Sequence, residues 1–351
     1  MATTWSPMPS PEFSLPDWTR THGLPVFQGV IKQSVDDFIV TESLGFQLTG
    51  EGEHDFLWIE KRDANTAWVA RALARHAGVP TRDVGYSGLK DRRAITRQWF
   101  SVRRPGGGGT DWEPFDLDGV RILEATRHNR KLRRGSHADN HFRIAVRGER
   151  PGSEALSDRL TRIRVAGVPN YFGPQRFGRL GGNIRLAQRL FAGERLRRDD
   201  RSIALSAARS FVFNEVLAER VAAGTWNRPL PGEAVNLDGR GSYFMADEVT
   251  AEIEARADAL EVHPTGPLWG RGSPACSGDA AALEREVAAR HEALVDGLVE
   301  AGMDGARRAL RLAVRDLEWQ KSAGCLELEF RLCRGAFATA VLREIVSLDN
   351  D

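Results

Sequence analysis

The chain has 351 residues, of which 41% are hydrophobic and 28% charged, and that length predicts about two domains of roughly 150 residues with cores that need no disulfide or metal staple. No run approaches the roughly 18 uninterrupted apolar residues of a membrane span. The opening MATTWSPMPSPEF lacks the basic and apolar regions of a secretory signal, and three cysteines without CxxC spacing argue against a disulfide framework or a thiolate zinc site. A protein of the reducing cytoplasm is expected, with no membrane partner, and a monomer as the default because no helix presents a surplus apolar face. The net charge of +1 conceals a segregation: residues 1–81 balance at −4 and residues 202–351 at −8, which leaves +13 in the middle, almost all of it arginine. Such a block is a footprint for a polyanion, nucleic acid above all.

Residues 1–25 hold five prolines and predict an irregular lead-in over the surface. Alternating apolar positions predict strands at Asp37–Leu44 and Phe56–Arg62, with EGEHD as the turn between them. From Asn65 the apolar residues Trp68, Val69, Ala72, Leu73 and Ala77 fall at helical spacing, with Asn65 as N-cap and Gly78 beyond the C-terminus. Strand patterns return at Val84–Tyr86, Ile95–Val102, Arg121–Ala125 and His141–Val146, so the first 150 residues predict α+β with a mostly antiparallel sheet.

Helices are expected at Glu154–Val165, Asn183–Ala192, Leu205–Ala223 and Asp279–Ala301. The glycine- and proline-rich Pro229–Gly241 and His263–Gly278 read as loops, and Gly106–Gly109 as a loop tip. Leu310–Trp319 and Cys325–Cys333 then read as strands and Gly335–Val346 as a helix. Two α+β ends around a helical middle predict one domain, 26–165 with 312–351, interrupted by another at 166–311.

The chain contains no GxxxxGK[ST], no strand-linked GxGxxG, no HExxH and no GxSxG, and its eight histidines show no metal-ligand spacing. Chemistry with neither cofactor nor metal is therefore expected. In VGYSGLKDRR a short strand runs into a loop where Asp91 is bracketed by Lys90, Arg92 and Arg93; a carboxylate so placed can serve as nucleophile, base or metal ligand, although KDRR by itself also describes a solvated turn. In residues 127–147, Arg130, Lys131, Arg133 and Arg134 precede Asn140 and Phe142, which offers cations for phosphates, an amide for a base edge and a ring for stacking. Phe142 equally suits a core. NYFGPQRFG, residues 170–178, is too rich in glycine, aromatics and amides for a plain helix end and suggests a shaped turn.

GLKDR followed by AxTRQWFSV, then KLRRGxHxxNxF, then PNYFGPQRFG occur in the order found in the TruD family of RNA pseudouridine synthases, which the chain resembles from about Val30 to about Ile345. The resemblance implies a mixed-sheet pseudouridine synthase catalytic domain interrupted by a largely helical TRUD domain, with an RNA cleft between them, and tRNA modified at position 13 as the substrate. It places the catalytic aspartate on Asp91, a basic partner on Lys32, a pocket wall on Phe38, an amide and a ring near the base on Asn140 and Phe142, and a last pocket residue on Phe337. Ser87 stands where the family more often has alanine. Breaking the C1′–N1 bond and rejoining uracil through C5 needs no redox change or phosphoryl transfer. The carboxylate would attack C1′ or remove the C2′ proton, with rings keeping water from the detached base. A metal-assisted RNA nuclease, which needs further carboxylates near Asp91, and a non-catalytic RNA-binding protein are the competing readings.

Overall fold

The computed structural model describes residues 14–104, 110–148, 154–272 and 275–348; the expected loop tip at Gly106–Gly109 lies outside them. The chain divides into two compact units, one of residues 24–168 with 312–348 and one of residues 169–311 joined by residues 14–23.

The first unit carries β1 (Phe27–Ile31), β2 (Phe38–Leu44), β3 (His54–Arg62), α1 (Thr66–His76), β4 (Val84–Tyr86), β5 (Ile95–Arg103), β6 (Val120–His128), β7 (His137–Arg147) and α2 (Glu154–Ala166). After the second unit it resumes with strands Arg315–Ser322, Cys325–Cys333 and Val346–Leu348 and the short helix Ala338–Leu342. Its sheet runs Arg315–Ser322, Cys325–Cys333, β7, β2, β5, β3, β6. Neighbours are antiparallel except β2 with β5, where Ile39 faces Ile95, and β1 with Val346–Leu348. The alternation FIVTESL turns Phe38, Val40 and Glu42 inward, and CLELEFRLC turns Leu326, Leu328, Phe330 and Leu332 inward. The apolar ones pack with Phe142, Ile144 and the α2 residues Leu156, Leu160 and Ile163 in one core. A second core forms where Val69 and Leu73 of α1 cover Leu57, Ile59, Phe100 and Val102.

The second unit is built on a 25-residue helix, Arg198–Ala222, with helices Gly182–Phe191, Ala251–Asp258, Gly278–Arg290 and Glu292–Glu300. Its sheet orders Tyr243–Ala246, Glu233–Leu237, Val262–Leu268 and Ala306–Ala309. Several expectations are corrected here. The segments 229–241 and 263–278 each hold a strand rather than loop alone, since Val235 is fully buried and faces Pro264 across the antiparallel pair, as Asn236 faces His263. The helix expected over 279–301 breaks at His291, whose Nε2 lies 3.0 Å from Glu215 Oε2. Of the lead-in, the described residues 14–20 are irregular, and there Trp18 is buried, its ring against Tyr171, Phe177 and Phe211 and its Nε1 donating to Glu215 at 2.6 Å. In the first unit, the helix expected over 335–346 shrinks to five residues because Val346–Leu348 pairs in parallel with β1.

Candidate active site

Asp91 lies on the loop between β4 and β5, exposed at its side chain, and the segment that carries it is held by buried polar groups from β5, α1 and β3. Gln98 on β5 donates from Nε2 to Gly88 O at 3.1 Å, and the Thr66 hydroxyl at the start of α1 donates to Gln98 Oε1 at 3.1 Å while accepting from Lys90 N at 3.1 Å. From β3, Lys61 Nζ donates to Asp91 O at 3.0 Å and Ala64 O at 2.7 Å. Gln98 and Lys61 are fully buried and Thr66 nearly so. Burial pushes the Lys61 ammonium down to about 8, against the pull of Asp91. The loop is thus pinned on its inner side while the carboxylate points out.

The counter-charge comes from a distance. Lys32 Nζ donates to Asp91 Oδ2 at 3.1 Å, and its ammonium lies 4.1 Å from the centre of the Phe38 ring. Among the described residues Asp91 Oδ1 accepts no hydrogen bond. Lys32 itself has φ of 58°, a left-handed backbone that costs a non-glycine residue about 1–2 kcal/mol. The turn that follows holds it there: Ser34 caps Val35–Asp37, and Asp37 takes Arg147 on both carboxylate oxygens, at 2.6 and 3.2 Å, which keeps its carboxyl below the usual range. The bracket read in KDRR is not formed. Lys90 turns inward, Arg92 lies 3.5 Å from Asp63, and Arg93 donates to Gln33 O.

Lys90 Nζ donates to Glu42 Oε2 at 2.6 Å and Asn140 Oδ1 at 2.7 Å. The strand register prepares this, since Glu42 on β2 faces Asn140 on β7. An ammonium only donates, so the atom of Asn140 facing it is the carbonyl oxygen and the amide nitrogen faces His137 Nε2 at 3.3 Å. Burial and Lys90 lower the proton affinity of His137. The Phe142 ring lies edge-on to Phe38 and stacked on Phe330 at 5.5 Å, and is 7% exposed. Phe337 precedes the helix Ala338–Leu342, half-buried.

Arg130, Lys131, Arg133 and Arg134 are all exposed on the turn from β6 to β7. Leu132 anchors that turn, buried with its N–H on Ser101 Oγ at 2.9 Å, and Gly135 N donates to Ser87 O at 2.7 Å, which ties it to the start of the Asp91 loop. Gly85 permits the close approach, because a Cβ there would meet Leu132 O at 2.2 Å. Among the described residues no group of three or more His, Cys, Asp or Glu could hold a metal, and no helix is long and apolar enough to cross a membrane.

Residues 19–194 and 188–345 match the family model described as tRNA pseudouridine synthase D (TruD). The chain belongs to the TruD family. It is similar to the tRNA pseudouridine synthase D of Methylococcus capsulatus, 49% identical over 95% of both chains, and to that of Nitrosococcus oceani, 47% identical over 92% of this chain and 91% of the relative. A solved chain from Methanosarcina mazei, described as a candidate tRNA pseudouridine synthase D, shares the fold at a TM-score of 0.72 and 22% identity, covering 93% of this chain and 95% of its own. The α+β class expected of a TruD protein is thus the class observed. The sequence reading missed Lys61, Thr66, Gln98 and Glu42, four buried polar side chains that hold the loop of this TruD chain. Their only trace in the sequence is a polar residue at an inward position of an apolar strand or helix face.

Proposed function

We propose that this chain isomerises a uridine of tRNA, at position 13, to pseudouridine, and that Asp91 is the group that acts at the ribose. The observation that carries the reading is a solvent-facing carboxylate on a loop pinned by Lys61, Thr66 and Gln98, with Lys32 on one oxygen and the other oxygen unengaged among the described residues. Family membership and the names of the relatives supply the substrate class. Asp91, Lys32, Phe38, Asn140, Phe142, Phe337 and the four cations Arg130, Lys131, Arg133 and Arg134 all fall in the unit of 24–168 and 312–348, to which we assign catalysis. With tRNA as the substrate, the cytoplasm is the site of action.

Two routes use the same carboxylate. In one, an Asp91 oxygen attacks C1′ of the flipped-out uridine, the C1′–N1 bond breaks, and uracil leaves with the electron pair on N1. The base rotates, C5 attacks C1′ and expels Asp91, and the C5 proton is lost as N1 gains one. In the other, Asp91 removes the C2′ proton as uracil leaves, and returns it when C5 bonds to C1′. Lys32 orients the carboxylate in both and offsets its charge. The Phe38 ring beneath Lys32, backed by Phe142, walls off water, and Asn140 and Phe337 complete the contact with the base. Incubation of unmodified tRNA with the chain, with and without EDTA, followed by nucleoside analysis, tests this: pseudouridine at position 13 in both samples is expected, and strand cleavage or an EDTA-sensitive product would favour a metal-dependent nuclease.

A further inference from the structure

Beside the Asp91 loop, in the same unit, lies a groove of about 610 Å³ between α1, β4 and the β6–β7 turn. Arg71 of α1 and Lys131, Arg133 and Arg134 of the turn line it, and among the described residues lining it there is no carboxylate. Some arginines of this unit are matched with acids, as Arg62 is with Asp36, Arg97 with Glu60 and Arg147 with Asp37. Among the described residues Arg71, Arg133 and Arg134 form no such pair. Cations gathered around a concavity without counter-charge are a site for an anion.

The groove also offers a ring. Tyr86 lines it, half-buried, steadied by a tilted contact with Phe100 at 5.9 Å, and the Arg134 guanidinium lies 5.7 Å from its centre. Four cations and an aromatic ring in one concavity are the components of a site for a nucleotide, phosphate on the cations and base on the ring. Tyr86 is five residues before Asp91, so at most about 18 Å of chain separates them. Leu89, between the two, is 63% exposed, an apolar side chain that a base laid across the loop would cover.

We infer that this groove is a nucleotide-binding subsite, which seats an RNA residue a few positions along the strand from the reacting uridine, its base against Tyr86 and its phosphate on Arg71, Arg133 and Arg134. The inference rests on the function proposed above and adds a second contact with the same RNA. It divides the labour: Asp91 and Lys32 do the chemistry, and the groove sets the register of the strand that reaches them.

Steady-state and single-turnover kinetics on tRNA test it, with wild-type conversion measured alongside. Tyr86→Leu should raise KM about 5- to 150-fold, the range of one base–aromatic stack, with the single-turnover rate at saturating tRNA near that of wild type. Tyr86→Phe keeps the ring and should restore KM, which separates loss of stacking from loss of fold. The double variant Arg71→Ala, Arg133→Ala should flatten the log–log salt dependence of tRNA binding by about 1.4, at about 0.7 per single-strand phosphate contact. If wild type makes pseudouridine while Tyr86→Leu and the double variant match it in KM and salt dependence, the subsite is overturned and the function stands. If wild type makes none, the function itself is overturned.

Discussion

Both units bury cations, but they use them differently. In the unit of 169–311, Arg220 is 2% exposed and spends its guanidinium internally, on both oxygens of the fully buried Glu233 at 3.0 and 3.1 Å and on the carbonyls of Thr225 and Arg228. Burial holds the Glu233 carboxyl above its ordinary range despite that partner. Every contact closes inside the fold. In the unit of 24–168 and 312–348, Lys61 is fully buried and the Lys90 side chain is 6% exposed, but Lys61 reaches, and Lys90 belongs to, the segment that ends in an exposed acid. The first arrangement fastens elements to one another, and the second fixes where a reactive group stands.

Asp91→Asn is the sharpest way to break this distinction. The amide keeps the size of the side chain and the loop that presents it, but cannot act as nucleophile or base, so pseudouridine formation should fall below about one per cent of wild type while tRNA binding and melting temperature stay close to wild type. Substantial residual turnover by the folded variant would move catalysis to another group.

Next in size are the two buried pairs. Arg220→Met strands Glu233 in the core and should cost about 3–5 kcal/mol, with kcat unchanged in the folded fraction. Lys90→Met strands Glu42 and should cost a similar amount, but it also frees Asn140, so kcat should fall as well. Removing the acid too, as Glu233→Leu or Glu42→Leu, should recover much of the stability in both cases and the activity in neither Lys90 variant. Denaturant midpoints and single-turnover rates on the four proteins decide the matter; equal kcat for Lys90→Met and wild type would leave Lys90 a packing residue like Arg220.

The same contrast explains what the sequence could show. The alternation in FIVTESL and CLELEFRLC, the N-cap at Asn65 and the loop bearing Asp91 are local, and the structure has them at or near the expected residues. VHPTGPL is the opposite case. Two prolines and a glycine disfavour a strand, yet Val262–Leu268 is a buried inner strand. Its Gly266 leaves room for Phe213 of the long helix, whose Cε2 would sit 3.1 Å from a Cβ there, and Pro264 O accepts from Leu310 N at 2.8 Å. Packing across the fold overrides local propensity. Asp91 was legible as a motif, but its supports were not. Lys61 and Glu42 look like surface charges until pairing brings Asp91 and Lys90 to them from 30 and 48 residues away.

A smaller effect is expected at Phe142. Its ring is committed on two sides, to Phe330 and Phe38, so Phe142→Leu should cost about 1–2 kcal/mol. If Phe142 matters to the base only by holding Phe38, kcat/KM should fall less than in Phe38→Leu. A larger fall for Phe142→Leu at equal folded fraction would give that ring a direct contact with the uracil.

The smallest effect is a pH dependence at Lys61. The unfolded chain holds this proton up to about 10.5 and the folded chain only to about 8, so between those values the unfolded state binds more protons and stability rises with pH; below about 8 both states are charged and the contribution is level at its least favourable. Tyrosines and other lysines titrate in the same window, so the readout is the difference between wild type and Lys61→Met. Denaturant midpoints at about pH 7 and about pH 9.5 should show wild type gaining relative to the variant. The neutral amine retains two N–H donors, enough for both Ala64 O and Asp91 O, and activity should therefore persist across pH 8 in wild type. Lys61→Met, which leaves two carbonyls without their donor, should lower kcat at every pH. Parallel stability profiles for the two proteins would mean that Lys61 does not change its charge in this range, and an unaltered kcat would mean that the Asp91 loop does not need it.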